Sequence, residues 1–364
     1  MAAKPPARLR ATTGVVTGFV LRLIRGSIPC TQAALAAALS IDLATVQGWE
    51  SGRRPLGNTK AVALLGLRRR LSALGAAPAV LGLLDPAMEA DQVISAALDP
   101  PDSAGPHPLG LWVHNRDTAH LLACALTGTV PQALAARLSG YRRMPSASAA
   151  LLRSGERTDF FEHLRETADA AHPGDALLRR QAFYLVSYDR GAETASWTAQ
   201  ALLLHRGHLA RRGWSEHWAQ ARSTAAALAR LGDPQPLLDF IDRSLIGDDT
   251  AETANLNYWA YWLGGIRLPQ SNDLFMQDRG PIAWDPIALM RGLVDGLPQA
   301  PGYVDLYTHT LWALLTAHPW LPQASPVLAT DLTTRIERLI DGCGITPRVR
   351  RELAAVHYLL RDHT

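Results

Sequence analysis

The chain is 364 residues long, 48% hydrophobic and 19% charged, with a formal net charge of +3. That length exceeds a single small binding domain and predicts two or more folded units. No run of 18 apolar residues occurs, because Arg22 and Arg25 interrupt the only early apolar segment, so neither a transmembrane helix nor a secretory signal is expected. Cys30, Cys124 and Cys343 lie far apart without disulfide or metal-ligand spacing, which fits a reducing, cytoplasmic setting.

Residues 1–14 form a short basic arm ahead of the first predicted unit, residues 15–84. Within that unit, Thr31 caps a helix that opens with Gln32 and carries Leu35, Ala36 and Leu39 at helical spacing. Ser40-Ile41-Asp42 breaks the pattern. Asp42 then caps a second helix bearing Leu43, Val46 and Trp49, with Val46 and Trp49 on the inward face. Gly52 falls just past its end, where a left-handed stop is expected, and Pro55 forbids continuation after Arg53-Arg54. Two short helices joined by a tight turn and followed by a basic loop make a helix-turn-helix pattern.

The run Trp49-Glu50-Ser51-Gly52-Arg53-Arg54-Pro55, with Thr31-Gln32, Leu35-Ala36, Ile41 and Val46 before it, resembles the Cro/repressor-type (XRE) helix-turn-helix family over roughly residues 15 to 75. The resemblance implies that Gln32 braces a DNA phosphate at its helix N-terminus. It places Leu43, Ala44, Gln47 and Gly48 where base edges are read, with Asp42 and Thr45 in the same DNA-facing set. Gln47 is the natural reader of adenine, while Leu43 and Ala44 suit thymine methyls. Gly48 stands where the family usually has a polar residue; it either admits the backbone to the duplex or reads nothing. Arg53 and Arg54 would grip phosphates, and Glu50 would make a hydrogen bond or salt bridge inside the domain.

Charge runs in the same direction. Residues 1 to 84 hold eleven basic side chains against Asp42 and Glu50 alone, about +9. The remaining residues therefore carry about −6. A DNA-facing head on a neutral or acidic body has this asymmetry. The basic arm would follow the DNA backbone or serve as a plain terminus.

Asn58 caps a further predicted helix that completes the small domain. Residues 85–108 are expected to hold a connector helix opening at Asp85-Pro86 and running to Leu98, then the Pro- and Gly-rich linker DPPDSAGPHP. From residue 109 to 364, turn signals separate helix after helix. Ala192–Arg211 and Trp214–Leu231 form one predicted hairpin, joined at Arg212-Gly213. The expected fold is all-α, with a helical bundle or a tetratricopeptide-like α-solenoid behind the head.

Six of the ten tryptophans lie between Trp197 and Trp284, and Tyr258, Trp259, Tyr261 and Trp262 fall within five positions. With Asn257, these residues suit core packing, a protein interface or an effector pocket. His205 and His208 are three apart on a helix, but Arg206, Arg211 and Arg212 would repel a cation. No phosphate loop, nucleophile elbow or paired carboxylates stand out, so no enzyme, metal or cofactor is expected. The sequence therefore suggests a cytoplasmic, nucleoid-associated transcriptional regulator. It would bind double-stranded DNA as a homodimer on a palindromic operator, with a small molecule or peptide as effector. The alternative is a helical interaction scaffold, or a plasmid- or chromosome-maintenance protein, localised by a DNA-binding head.

Overall fold

The computed structural model describes residues 14–99, 105–130, 135, 150–209, 212–278, 284–297, 302–341 and 345–361. The basic arm, apart from Gly14, Cys343 and the side chains of His205 and His208 lie outside the described residues. Every regular element described is helical, as the sequence predicts, and no described helix is long and apolar enough to cross a membrane. The chain divides into two compact units, residues 1–108 with 117–166 and residues 109–116 with 167–364.

The first unit opens with α1 (Val15–Ser27), α2 (Gln32–Leu39), α3 (Leu43–Glu50), α4 (Ala61–Ala73), α5 (Pro78–Leu81) and α6 (Leu84–Leu98). Its core is built on α1, which buries Val16, Phe19, Val20, Leu23 and Ile24. No side chain of its own caps α1. Instead Asp91 of α6 accepts the backbone N–H groups of Val16 at 2.9 Å and Thr17 at 3.0 Å. Two otherwise orphaned helix-end donors are thus satisfied from 75 residues away. Burial pushes the Asp91 carboxyl up to about 6 despite these bonds.

Helix α6, expected as a connector, is part of this core. Leu84, Ala87, Ala90, Val93 and Ile94 are fully buried, and α1 is the helix it packs against most extensively. Helices α7 (Arg116–Thr127) and α8 (Ser154–Ala170) largely complete the unit. Thr118 of α7 donates to Glu89 of α6 at 2.7 Å, and Arg157 of α8 reaches the Leu126 carbonyl at 3.2 Å. The first unit thus runs to residue 108 and takes in residues 117–166 as well. Asn58 does not cap α4; it ends a 3-10 turn at Leu56–Asn58, and Lys60 takes the cap position without a side-chain bond.

The second unit contains α9 (Ala176–Val186), α10 (Ala192–Leu209), α11 (Glu216–Leu231), α12 (Gln235–Phe240), α13 (Asp249–Trp262), α14 (Pro286–Gly296), α15 (Tyr303–Ala317), α16 (Leu321–Ala324), α17 (Pro326–Asp341) and α18 (Pro347–Arg361). The predicted hairpin forms from α10 and α11, with Ser215 capping α11 and Gly232 stopping it at φ 106°. Between α12 and α13, Ile241–Leu245 widens into a π-helical turn. A hydrophobic core runs from Trp218 to Leu360, and α15 packs against α12, α13, α14 and α18. This architecture accommodates both the bundle and the solenoid expectation.

A buried cation holds three of these helices together. His309 of α15 is 1% exposed and lies 2.8 Å from Glu252 of α13 and 3.2 Å from Glu352 of α18. Burial alone would lower its pKa, but the two carboxylates outweigh that and raise it to about 9. Arg180 and Asp273 make a second buried pair, bidentate at 2.7 and 2.5 Å.

Candidate functional site

The two short helices expected around residues 31 to 50 are α2 and α3. The Thr31 hydroxyl accepts the Ala34 N–H at 3.1 Å and starts α2. The turn is made by Ser40 in the left-handed region at φ 55°, a conformation uncommon outside glycine, asparagine and aspartate. Asp42 occupies the cap position of α3, but its carboxylate makes no capping bond and stays exposed. Gly52 follows the helix at φ 74°, as its position predicts.

Helix α3 is fixed from behind. Val46, Trp49 and Glu50 are buried. Gly18 of α1 allows the close approach: a Cβ there would stand 2.6 Å from the Trp49 carbonyl oxygen and 2.7 Å from that of Glu50. The Glu50 carboxylate receives Arg25 Nε at 2.5 Å, Arg25 Nη2 at 3.1 Å and Gln32 Nε2 at 2.6 Å, while Arg22 donates to the Glu50 carbonyl. The bond to Glu50 holds the Arg25 guanidinium above its ordinary pKa. A bidentate, partly buried arginine–carboxylate pair of this type ties α1 and α2 to the end of α3.

This network also engages Gln32. One of its amide N–H groups donates to Glu50, so the side chain braces α3 and keeps a single further N–H as a donor. Gln47, Ala44, Leu43 and Asp42 form an exposed edge on α3, and Leu43 leaves 41% of its surface open.

Gly48 is buried, and what covers it is Arg54. A Cβ at residue 48 would meet Arg54 Cδ at 2.9 Å and Cγ at 3.1 Å, and the Arg54 N–H donates to the Gly48 carbonyl at 3.0 Å. The Arg54 stem therefore lies across the groove left by the missing side chain. Its guanidinium reaches back to the first turn of α3, where Nη1 donates to Thr45 Oγ1 at 3.0 Å. The absence of a side chain at Gly48 thus leaves the space in which Arg54 is seated. Arg53, by contrast, is exposed and bound only locally, to Ser51 Oγ at 3.1 Å.

The aromatic segment 257–262 lies on α13 in the second unit. Asn257 is used structurally: its amide donates to the Met276 and Asp278 carbonyls at 3.0 and 2.8 Å and accepts from Trp284 Nε1 at 2.9 Å. The Tyr261 hydroxyl donates to the Val113 carbonyl at 2.5 Å, and the Trp262 ring stacks on Tyr258. Both contacts are made within the second unit. Tyr258 and Trp259 differ, since they lie against the guanidinium of Arg222 at 3.9 and 5.4 Å from their ring centres. Sequence reasoning passed over Arg222. The signal was available in ARSTAAALAR, where Arg222 and Arg230 sit eight apart in an otherwise small-residue helix.

No family model, no characterised protein and no solved structure matches this chain.

Proposed function

We propose that the chain is a sequence-specific DNA-binding transcriptional regulator whose α3 enters the major groove. The observation that carries this reading is the exposed edge Asp42, Leu43, Ala44 and Gln47 on a helix braced by the Glu50 network and flanked by Arg53 and Arg54. A braced helix with polar and methyl-seeking side chains outward and exposed arginines beside it meets the demands of base readout and phosphate positioning together. The excess of basic residues in the first 84 supports it.

Within this reading Gln47 pairs with adenine, Leu43 and Ala44 pack on thymine methyls, and Arg53 contacts phosphate. Arg54, laid along α3 and pinned to Thr45, reads a guanine edge rather than gripping the backbone. The protein acts as a homodimer on a palindrome, near the nucleoid in the cytoplasm, and its second unit dimerises and receives a signal. The scaffold alternative gains no specific observation.

The test is genome-wide recovery of bound DNA with wild type and Gln47→Ala side by side. A shared palindromic motif, blurred at one position by the substitution, is expected. Fragments with no common motif, lost equally from both proteins as salt is raised, would refute sequence-specific reading.

A further inference from the structure

Arg180, Arg222 and Arg230 of the second unit lie partly or wholly out of solvent, and they differ in how their charge is met. Buried Arg180 is held by both oxygens of Asp273. Half-buried Arg230 donates to the Tyr184 carbonyl and the Ser187 hydroxyl and rests on the rings of Tyr184 and Tyr188. Arg222, only 5% exposed, has neither a hydrogen bond nor an ion pair among the described residues, and its Nε is buried without an acceptor. Its guanidinium carbon lies over the faces of Tyr258 and Trp259. Attraction to two rings does not replace an acceptor for the buried Nε–H.

The surroundings are suited to a ligand. Trp259 Nε1 is a second buried donor without an acceptor, and the Tyr307 ring meets Trp259 edge-on at 4.5 Å between centres. Arg222 stands on α11, Tyr258 and Trp259 on α13, and Tyr307 on α15, so three helices meet at this point. We propose that Arg222 anchors a binding site for a small-molecule oxyanion, a carboxylate or a phosphate, against the aromatic wall of Tyr258 and Trp259. The planar fork of the guanidinium matches two oxygens of either group. The rings exclude water from the pair, and the Trp259 N–H adds a donor. An anion held there ties α11, α13 and α15 together. The site stands on the second unit alone and does not rest on DNA binding; it gives the signal in the regulator reading a chemical class.

The experiment uses the full chain without DNA, so its failure is separate from failure of the operator search. Inorganic phosphate and sodium acetate are titrated at ionic strength matched with potassium chloride. Tryptophan fluorescence and thermal unfolding are followed for wild type, Arg222→Met and Arg222→Lys. The expected result is a saturable response and a raised Tm with at least one oxyanion but not with chloride. The dissociation constant should weaken at least tenfold in Arg222→Met, because the lost hydrogen bonds are charge-assisted. Arg222→Lys keeps the charge without the fork and should fall between. Preference for phosphate over acetate, or the reverse, identifies the headgroup. No saturable response from wild type to either ion overturns the proposal. So does an equal response from wild type and Arg222→Met, or from wild type and Arg222→Lys should the methionine variant not fold.

Discussion

Gly48→Ala should leave the protein about as stable and make it less selective. In a helix interior alanine is favoured over glycine by about 1 kcal/mol. The new Cβ would lie 2.9 Å from Arg54 Cδ and 3.1 Å from Cγ, which is too close, but those atoms belong to a flexible exposed side chain and can swing away. The fold therefore pays only the Arg54–Thr45 hydrogen bond, net roughly 0.5–1.5 kcal/mol, against the propensity gain. Stability should change by less than about 1 kcal/mol, with the melting temperature level or slightly raised. Specificity should not survive, because the displaced guanidinium no longer stands over the first turn of α3. Loss of one bidentate guanine contact removes about 1–3 kcal/mol of discrimination, roughly 5- to 150-fold at one base pair. Selection of bound sequences from a random pool, with Gly48→Ala, Arg54→Ala and wild type in parallel, reads this directly. Both variants should lose the same single guanine. If Arg54→Ala instead weakens all sequences evenly and Gly48→Ala leaves the motif intact, Arg54 is a phosphate contact and the seating role of Gly48 has no functional weight.

Other outcomes follow from the buried charges. The pKa of His309 is raised from 6.5 to about 9, so its contribution is fully present below pH 6.5 and is lost as pH rises through 9. The contribution is about 3 kcal/mol; urea midpoints followed by near-ultraviolet dichroism between pH 6 and 10 should fall accordingly, and His309→Gln should flatten the profile, whereas an equal slope in the variant would exclude His309 as its source. Asp273→Ala strands the Arg180 guanidinium and should destabilise by about 3–5 kcal/mol, while replacing both partners with Met and Leu should recover most of the loss in a denaturation series. An unchanged midpoint in Asp273→Ala would mean that water already satisfies Arg180. Asp91→Ala removes both acceptors at the start of α1 and should cost about 2 kcal/mol, with Asp91→Asn losing less. Hydrogen exchange should quicken at Val16 and Thr17 first, and uniform exchange rates along α1 would contradict a local capping role.

The sequence by itself determined whatever depends on neighbours a few residues apart. The helix at Gln32 with its Thr31 cap, the stop at Gly52, the inward Trp49 and the end of α11 at Gly232 are all set by local hydrogen bonds, spacing and backbone sterics. All-α architecture is legible for the same reason, since helical hydrogen bonds close within one turn. What only the tertiary structure decided involves partners far apart in the chain. Gln32 is drawn onto Glu50 because folding brings residues 18 apart within 2.6 Å, and no local pattern shows that the amide is already spent. Asp91 caps a helix 75 residues away, which turns an expected connector into core. Gly48 looked like an absence until the stem of Arg54 was found in its place. Arg222 reads in sequence as one more cation on an alanine-rich helix; that it faces Tyr258 and Trp259, with no carboxylate partner among the described residues, is decided where three helices meet, because their packing sets which side chains reach it.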